Sequence, residues 1–303
     1  VTTTPRRPPT VPSWVSEMLP LSFDLAMEIG RFRRLMLEYF NSRSKREDIL
    51  DFIHAYLFVD EFAAAAIYSY FDEQYRFCKR IPHDKMILVE HLKNDEENKI
   101  MFHTLYGRRV NDCLSRAVAF VLSRQEHKDV EVGINDNGFY LASQKRISPL
   151  RAFELLKADK LDLVMEAAID SAEVYRRRFR HCAARALMLL RNYKGRSKSA
   201  GRQQVSSMIL LKALERISKD FFILREAKRE VLSDLMDIEK AKEILRLIEA
   251  GEILIEEINT QIPSPFSFKI ALQGVMDILK AEDRLEFLHR MHQMVKAKIA
   301  LGR

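Results

Sequence analysis

The segment DVEVGINDNGFYLASQ, residues 129–144, constrains the fold more than any other part of this chain. Two runs rich in β-branched and aromatic residues flank NDNG, and Asn137 and Gly138 both tolerate the positive φ that a tight primed turn requires. The spacing predicts a β-hairpin. Upstream, DKMILVEHLK and NKIMFHTL are short apolar runs joined by the acidic NDEEN, which predicts a second hairpin, and RVNDCLSRAVAFVLSRQ between the two hairpins has helical spacing. The expected strands are Met86–Leu92, Lys99–Leu105, Val130–Ile134 and Phe139–Ser143, in one antiparallel sheet crossed by one helix.

Everything around this insert reads as helix. From Ser22 to Lys79 apolar residues recur every three to four positions, through Phe23, Met27, Phe32, Leu35 and Tyr39 and then KREDILDFIHAYLF and DEFAAAAIYSYFDEQYRF. Ser148 with Pro149 is a helix start, the hydroxyl as N-cap and proline at the first helical position. Helical spacing then runs to about Ala250, broken at NYKGRSKSAGR. Gly251 ends it, EILIEEI is a further strand candidate, and Ser264 with Pro265 opens a last pair of helices. Only 9 of 303 residues are glycine, in keeping with a helix-rich chain. The expected fold class is α+β: helix-dominated, with a small antiparallel sheet inserted between helical segments. It forms one unit, divided as 21–80 helical, 81–147 β-rich, 148–250 helical with a basic strip, and 251–303 strand plus terminal helices.

The leading segment PPTVPSWVSEMLP, residues 8–20, places four prolines around the chain's single tryptophan. Proline removes a backbone donor and fixes φ, so the segment is extended, and Trp14 is expected to dock on an apolar surface. No apolar run reaches the length of a membrane span and no charged-then-apolar leader opens the sequence. The reading is a cytoplasmic protein with no membrane partner. Cys78, Cys113 and Cys182 are widely spaced and odd in number, which suits buried free thiols rather than a disulfide framework or a zinc site.

Several chemistries lack their residues. Nucleotide hydrolysis needs a Gly-rich phosphate loop ending in lysine, and no Gly-Lys pair occurs; GRSKSAGR has the wrong spacing. GxSxG, HExxH and GxGxxG are missing as well. His289 and His292, three apart, lack a nearby third metal ligand, so no metal site is expected. His103 could act as acid or base, but no carboxylate or nucleophile is placed beside it by sequence.

One charge feature stands above the overall balance of +7. From Arg176 to Arg202 there is no Asp or Glu, while Arg176, Arg177, Arg178, Arg180, Arg185, Arg191, Lys194, Arg196, Lys198 and Arg202 all fall there. On a helix from about Glu173 to Arg191, Tyr175, Phe179, Cys182, Ala186 and Leu189 take the core face, which leaves the arginines on the others. Planar guanidinium forks beside a flexible Gly/Ser/Lys loop suit phosphate oxygens. The competing reading is pairing with the acidic stretch Glu226–Asp237 or with another domain. Arg178 and Arg185, seven apart, are expected to pair internally. The candidate nucleic-acid contacts are Arg177, Arg180, Arg191, Lys194, Arg196, Lys198 and Arg202, with Arg108 and Arg109 after Gly107 at the mouth of the sheet.

PPTVPSW followed by a helix ending in GRFR, then FHTLYGRRVNDCLSRAVA, INDNGFYL, RFRHCAARALMLLR and IPSPFSFKIALQG resemble, in that order, the C-terminal domain of the large helicase-related (Lhr) proteins and their archaeal Ski-like relatives. The resemblance runs from about Pro8 to Gly274. It implies that residues 1–20 are a linker from a winged-helix domain, preceded by two RecA-like motor domains, with Trp14 at the interdomain junction. It also implies a parent enzyme that uses ATP and Mg to translocate 3′-to-5′ on single-stranded nucleic acid and unwind RNA-containing duplexes. By that reading the present chain is not itself an enzyme and holds no cofactor. Its expected partners are single-stranded RNA or DNA and the motor domains, with a ribonuclease or the ribosome as further candidates. The final stretch MDILKAEDRLEFLHRMHQMVKAKIALGR fits the shorter archaeal type. A structural or protein-interaction module is the alternative to a nucleic-acid grip.

Overall fold

A computed structural model describes residues 19–93, 98–126, 130–144, 148–170, 172–190, 192–193, 195–273 and 281–301. Trp14 and the acidic tip at 94–97 lie outside the described residues. The chain opens with α1 (Phe23–Asn41), α2 (Arg46–Tyr56) and α3 (Glu61–Cys78). Ser22 and Asp60 begin α1 and α3 by accepting the backbone N–H of Leu25 and Ala63, donors that a helix start otherwise leaves unsatisfied. Phe32, Met36, Phe40, Ile49, Ile53 and Phe71 close into one core, joined by Phe266 from far along the chain.

Next come β1 (Met86–Lys93), β2 (Asn98–His103), α4 (Arg108–Glu126), β3 (Glu131–Asn135) and β4 (Gly138–Ser143). The expected strands are thus present to within one or two residues. The turn between β3 and β4 is not the primed turn expected: Asn135 pairs with Gly138, Asp136 and Asn137 form the turn, and neither takes a positive φ. Gly138 is needed for a different reason. It opens β4 at φ 155°, where a Cβ would lie 2.0 Å from the Phe102 carbonyl oxygen of β2. Asp136 meanwhile accepts the N–H groups of Leu21 and Arg108, at 3.0 and 2.9 Å. It places an anion at the N-terminus of α4 and ties down the chain leading into α1.

A helical layer follows: α5 (Pro149–Leu155), α6 (Leu161–Ile169), α7 (Glu173–Arg185), α8 (Ala200–Ile217), α9 (Phe222–Arg229), a π-helical turn at Glu230–Leu235 and α10 (Ile238–Glu249). Two-residue strands β5 (Asn192–Tyr193) and β6 (Arg196–Ser197) lie between α7 and α8. Ser148 precedes α5 as expected, but its side chain makes no cap hydrogen bond. The chain then forms β7 (Leu254–Thr260), a 3₁₀ turn at Pro265–Ser267, α11 (Phe268–Gln273) and α12 (Ala281–Leu301).

The main sheet has the order β3-β4-β2-β1-β7. Four strands are antiparallel as expected, whereas β7 runs parallel to β1, so the sheet is mixed. The chain reaches β7 only after the whole helical layer, and Leu254 N–H bonds the Lys85 carbonyl at the end where β1 begins. Such a crossover permits a parallel pair, which a short hairpin cannot make. Both faces of the sheet are covered. Ile87, Val89, Ile100, Phe102, Phe139 and Leu141 face the core that holds α4, while Leu92, Met101, Tyr140 and Ala142 face Ile270 and Met291 of α11 and α12. Phe102 and Phe139 stack at 4.4 Å with no exposed surface, so truncating either to alanine should cost about 3–5 kcal/mol.

Candidate nucleic-acid interface

The acid-free stretch divides according to what each cation meets. On α7, Tyr175, Phe179 and Cys182 are buried, as the spacing predicts, and Ala183 joins them; Ala186, expected on the same face, is exposed, and Leu189 is half-buried, because both lie past the end of the helix. Arg178, half-buried, and Arg185, exposed, both hydrogen-bond the carboxylate of Glu230, which is 4% exposed at the start of the π-helical turn. Arg178 Nη1 stands 3.2 Å from Glu230 Oε2. The Glu230 hydrogen bond raises the pKa of Arg185 above the ordinary guanidinium value. One buried anion is therefore shared by two cations, which leaves one net positive charge, and their expected internal pairing is what the structure has. The acidic stretch takes no more of the strip, because Glu226 and Asp234 both pair with Arg229.

Arg176, Arg177, Arg180, Arg196, Lys198 and Arg202 take part in no ion pair among the described residues. Arg176, Arg177, Arg196 and Arg202 are exposed, and Arg180 and Lys198 half-buried. The helix carrying the first of them is shorter than expected. It ends at Arg185 because Leu187 adopts φ 58°, and the N–H groups of Met188 and Leu189 fold back onto the Ala183 carbonyl. The loop beyond is no plain Gly/Ser linker. β5 and β6 pair, Tyr193 opposite Arg196, with Gly195 left-handed at φ 72°. That hairpin brings Lys198 back to α7, where Lys198, Arg180, His181 and Gln203 line one small cleft. Gln203 Nε2 donates to the Lys198 carbonyl at 2.8 Å, which fixes the strand exit against α8. Arg202 lies in the first turn of α8, a turn without an acidic residue, so the positive end of the helix adds to the field of the cations. Arg191 and Lys194 lie outside the described residues.

At the sheet mouth the two arginines separate. Arg108 is exposed and makes no ion pair among the described residues. Arg109 instead donates to the carbonyls of Ser233 and Met236, at 2.5 and 3.2 Å, and clamps the π-helical turn that carries Glu230. Its guanidinium serves the fold and is not turned to the surface as expected.

Of the histidines, His103 is placed differently from the sequence reading. His292 meets Glu73 at 3.1 Å and His289 meets Gln293 at 2.8 Å, so they do not converge. No cluster of three metal-ligating side chains occurs among the described residues. His103 does have a carboxylate and a hydroxyl beside it: its Nε2 is 3.2 Å from Glu90 and 3.0 Å from Ser267 Oγ. These are the residue types of an acyl-transfer triad, but both partners meet the same ring nitrogen, whereas proton relay needs them on opposite nitrogens. Glu90 and Ser267 also have no exposed surface. Thr260 Oγ1, Ser264 N, Ser264 Oγ and Ser267 Oγ all donate to Glu90 as well. Burial pushes the Glu90 carboxyl pKa up, but hydrogen bonds from His103, Ser267 and Ser264 outweigh it and hold the pKa below the ordinary carboxylate value. The cluster pins the 260–267 segment to the sheet. Ser264, expected as a helix cap, spends its hydroxyl there.

The three cysteines are free; Cys113 and Cys182 are buried as expected, whereas Cys78 is only half-buried, with its thiol pKa raised to about 11 by desolvation. No helix among the described residues is long and apolar enough to cross a membrane.

Residues 81–267 match the DEAD/H associated family, a span that takes in the sheet, the strip and the Glu90 cluster. The chain is 51% identical to the ATP-dependent helicase Lhr-Core of Methanothermobacter thermautotrophicus over 95% of its length, covering 33% of that protein. It is 44% identical to the Lhr-Core helicase of Saccharolobus solfataricus, again over 95% of the chain and covering 34% of that relative. Its fold matches that of the Mycobacterium smegmatis helicase Lhr, solved bound to ssDNA and AMP-PNP, with a TM-score of 0.73 at 24% identity, over 88% of this chain and 33% of that one. The chain thus spans about one third the length of these relatives. With the family span covering the strip, the sheet and the buried pin alike, the chain belongs to the DEAD/H associated family and corresponds to a part of the Lhr-type ATP-dependent helicases.

Proposed function

We propose that this chain is an accessory domain that grips single-stranded nucleic acid for an ATP-dependent Lhr-type helicase, beside motor domains that supply ATP hydrolysis. The observation that carries this reading is the division of the acid-free stretch: Arg178 and Arg185 share Glu230, while Arg177, Arg180, Arg196, Lys198 and Arg202 have no carboxylate partner among the described residues. Cations spread over α7, a hairpin and the first turn of α8 follow a phosphate backbone without reading bases, as a translocating enzyme requires. Arg108 extends the set, as do Arg191 and Lys194 by sequence. The M. smegmatis relative, solved with ssDNA, is consistent with such a ligand. RNA-containing strands, 3′-to-5′ polarity and the cytoplasm complete the proposal.

A second reading rests on a separate observation. Val205, Met208 and Ile209 on α8 and Leu187 before the hairpin are exposed, which suits docking onto another protein surface such as the motor domains, a ribonuclease or the ribosome. Titration of labelled single-stranded RNA and DNA against the wild type and the variant Lys194→Ala/Arg196→Ala/Lys198→Ala separates the two. The grip predicts weaker binding of every sequence by a folded variant, and unchanged affinity moves the assignment to the docking surface.

A further inference from the structure

Arg33 is a buried cation without an anion. It lies on α1 with 8% of its surface exposed, and it makes neither a hydrogen bond nor an ion pair among the described residues. Its neighbour Arg34 shows the ordinary solution, held by Asp84 at 3.0 Å. Arg33 has instead the face of Phe266, with Cζ 4.7 Å from the ring centroid. Tyr70 stacks on the same ring at 4.5 Å and 22°, and 43% of Tyr70 is exposed. A cation–π contact replaces only part of the hydration that a guanidinium loses on burial. Burial accordingly lowers the Arg33 pKa from the ordinary guanidinium value, with the Tyr70 hydroxyl opposing.

The ring beneath Arg33 is fixed. Phe266 packs edge-on against Phe71 at 5.4 Å and gives its N–H to Gln74 Oε1 at 3.0 Å. The serines two residues before it and one after it are bound to Glu90. A guanidinium fork is thus held ready beside a half-exposed aromatic ring. A carboxylate from a protein partner would use only the fork. A nucleotide uses both parts, phosphate on the guanidinium and base on the ring.

We infer that Arg33 seats one phosphate of single-stranded nucleic acid and that Tyr70 is the stacking platform for the adjoining base. This seat rests on the nucleic-acid reading above but not on the α7–α8 strip, since it is built by α1, α3 and the 3₁₀ turn.

The test uses the full chain with Arg33→Met and Tyr70→Leu, labelled oligo-dT and oligo-U, and thermal melting without nucleic acid. Arg33→Met relieves an unpaired buried charge, so it should melt at or above the wild-type temperature. It should also bind about tenfold more weakly, with a salt slope reduced by about 0.7, the share of one single-strand phosphate. Tyr70→Leu should melt like the wild type and lose about tenfold in affinity with its salt slope unchanged. Wild-type affinity in Arg33→Met overturns the seat: with a lowered melting temperature Arg33 is a structural cation, and with a raised one its anion comes from an acidic protein surface. Wild-type affinity in Tyr70→Leu overturns the platform. Should Arg33→Met fail to fold, Arg33→Lys keeps the charge without the fork, and a tenfold loss supports the seat while unchanged affinity overturns it. If the Lys194/Arg196/Lys198 variant loses affinity and Arg33→Met does not, the seat fails alone; if the wild type binds no single strands, both readings fail together.

Discussion

Two polar regions of this protein treat charge in opposite ways. Around Glu90 the carboxylate has been matched: with no exposed surface it receives His103, Thr260, Ser264 and Ser267, residues from two other strands and from the 3₁₀ turn and its cap. Along α7 and the β5–β6 hairpin the matching stops with Arg178 and Arg185, and the other described cations, exposed or half-buried, meet no acid among the described residues. A buried carboxylate left unmatched would destabilise the fold, so its partners are built in. An exposed guanidinium left unmatched costs little and stays available to a ligand. Satisfied charge thus marks what holds the chain together, and unsatisfied charge marks what it offers to others.

The sharpest way to break this comparison is Glu90→Gln, which removes the anion that five donors address. It should cost about 3 kcal/mol in urea unfolding and leave the nucleic-acid affinity of the folded protein unchanged. The same carboxylate sets a pH dependence. Because its folded pKa lies below its ordinary value of 4.5, the stability it gives is complete above that value and is lost as pH falls through the folded pKa. Glu90→Gln should therefore show a shallower acid limb than the wild type. Glu230→Gln comes next, at about 2 kcal/mol, because it leaves Arg178 and Arg185 without their shared partner. The strip should respond in the opposite sense. Lys194→Ala/Arg196→Ala/Lys198→Ala should bind single strands about tenfold more weakly at low salt while unfolding within about 0.5 kcal/mol of the wild type. Smallest is Arg177→Gln alone, expected to weaken binding about threefold and equally for different sequences.

What the sequence disclosed follows the range of the interactions involved. The β3–β4 hairpin and the buried face of α7 up to Cys182 depend on neighbours within a few residues, and both were readable from spacing; Ala186 and Leu189 were not, because the helix ends before them. The parallel pairing of β7 with β1 joins residues about 170 positions apart, so no local pattern announces it. The acidic stretch 226–237 was readable as a partner for the basic strip, but that Glu230 is the acid that meets Arg178 and Arg185 appears only when the fold brings residues 45 and 52 positions apart together. Arg109 misleads in another way, since its partners are backbone carbonyls of a π-helical turn, which leave no mark in side-chain composition. His103 gave no sign of its role because Glu90 and Ser267 reach it from 13 and 164 residues away. The unpaired cations were legible as a run without acids, but which of them stay free required the structure.

The most direct test of the central claim is the salt dependence of single-strand binding by the wild type and by Arg177→Gln/Arg180→Gln/Arg196→Gln. If these three guanidinium groups each hold a phosphate, the slope of log affinity against log salt should fall by about two units in the variant, from about 0.7 per contact. The variant should also unfold like the wild type. A folded variant that keeps the wild-type slope and affinity would contradict the account, because the unmatched cations of α7 and its hairpin would then hold no nucleic acid.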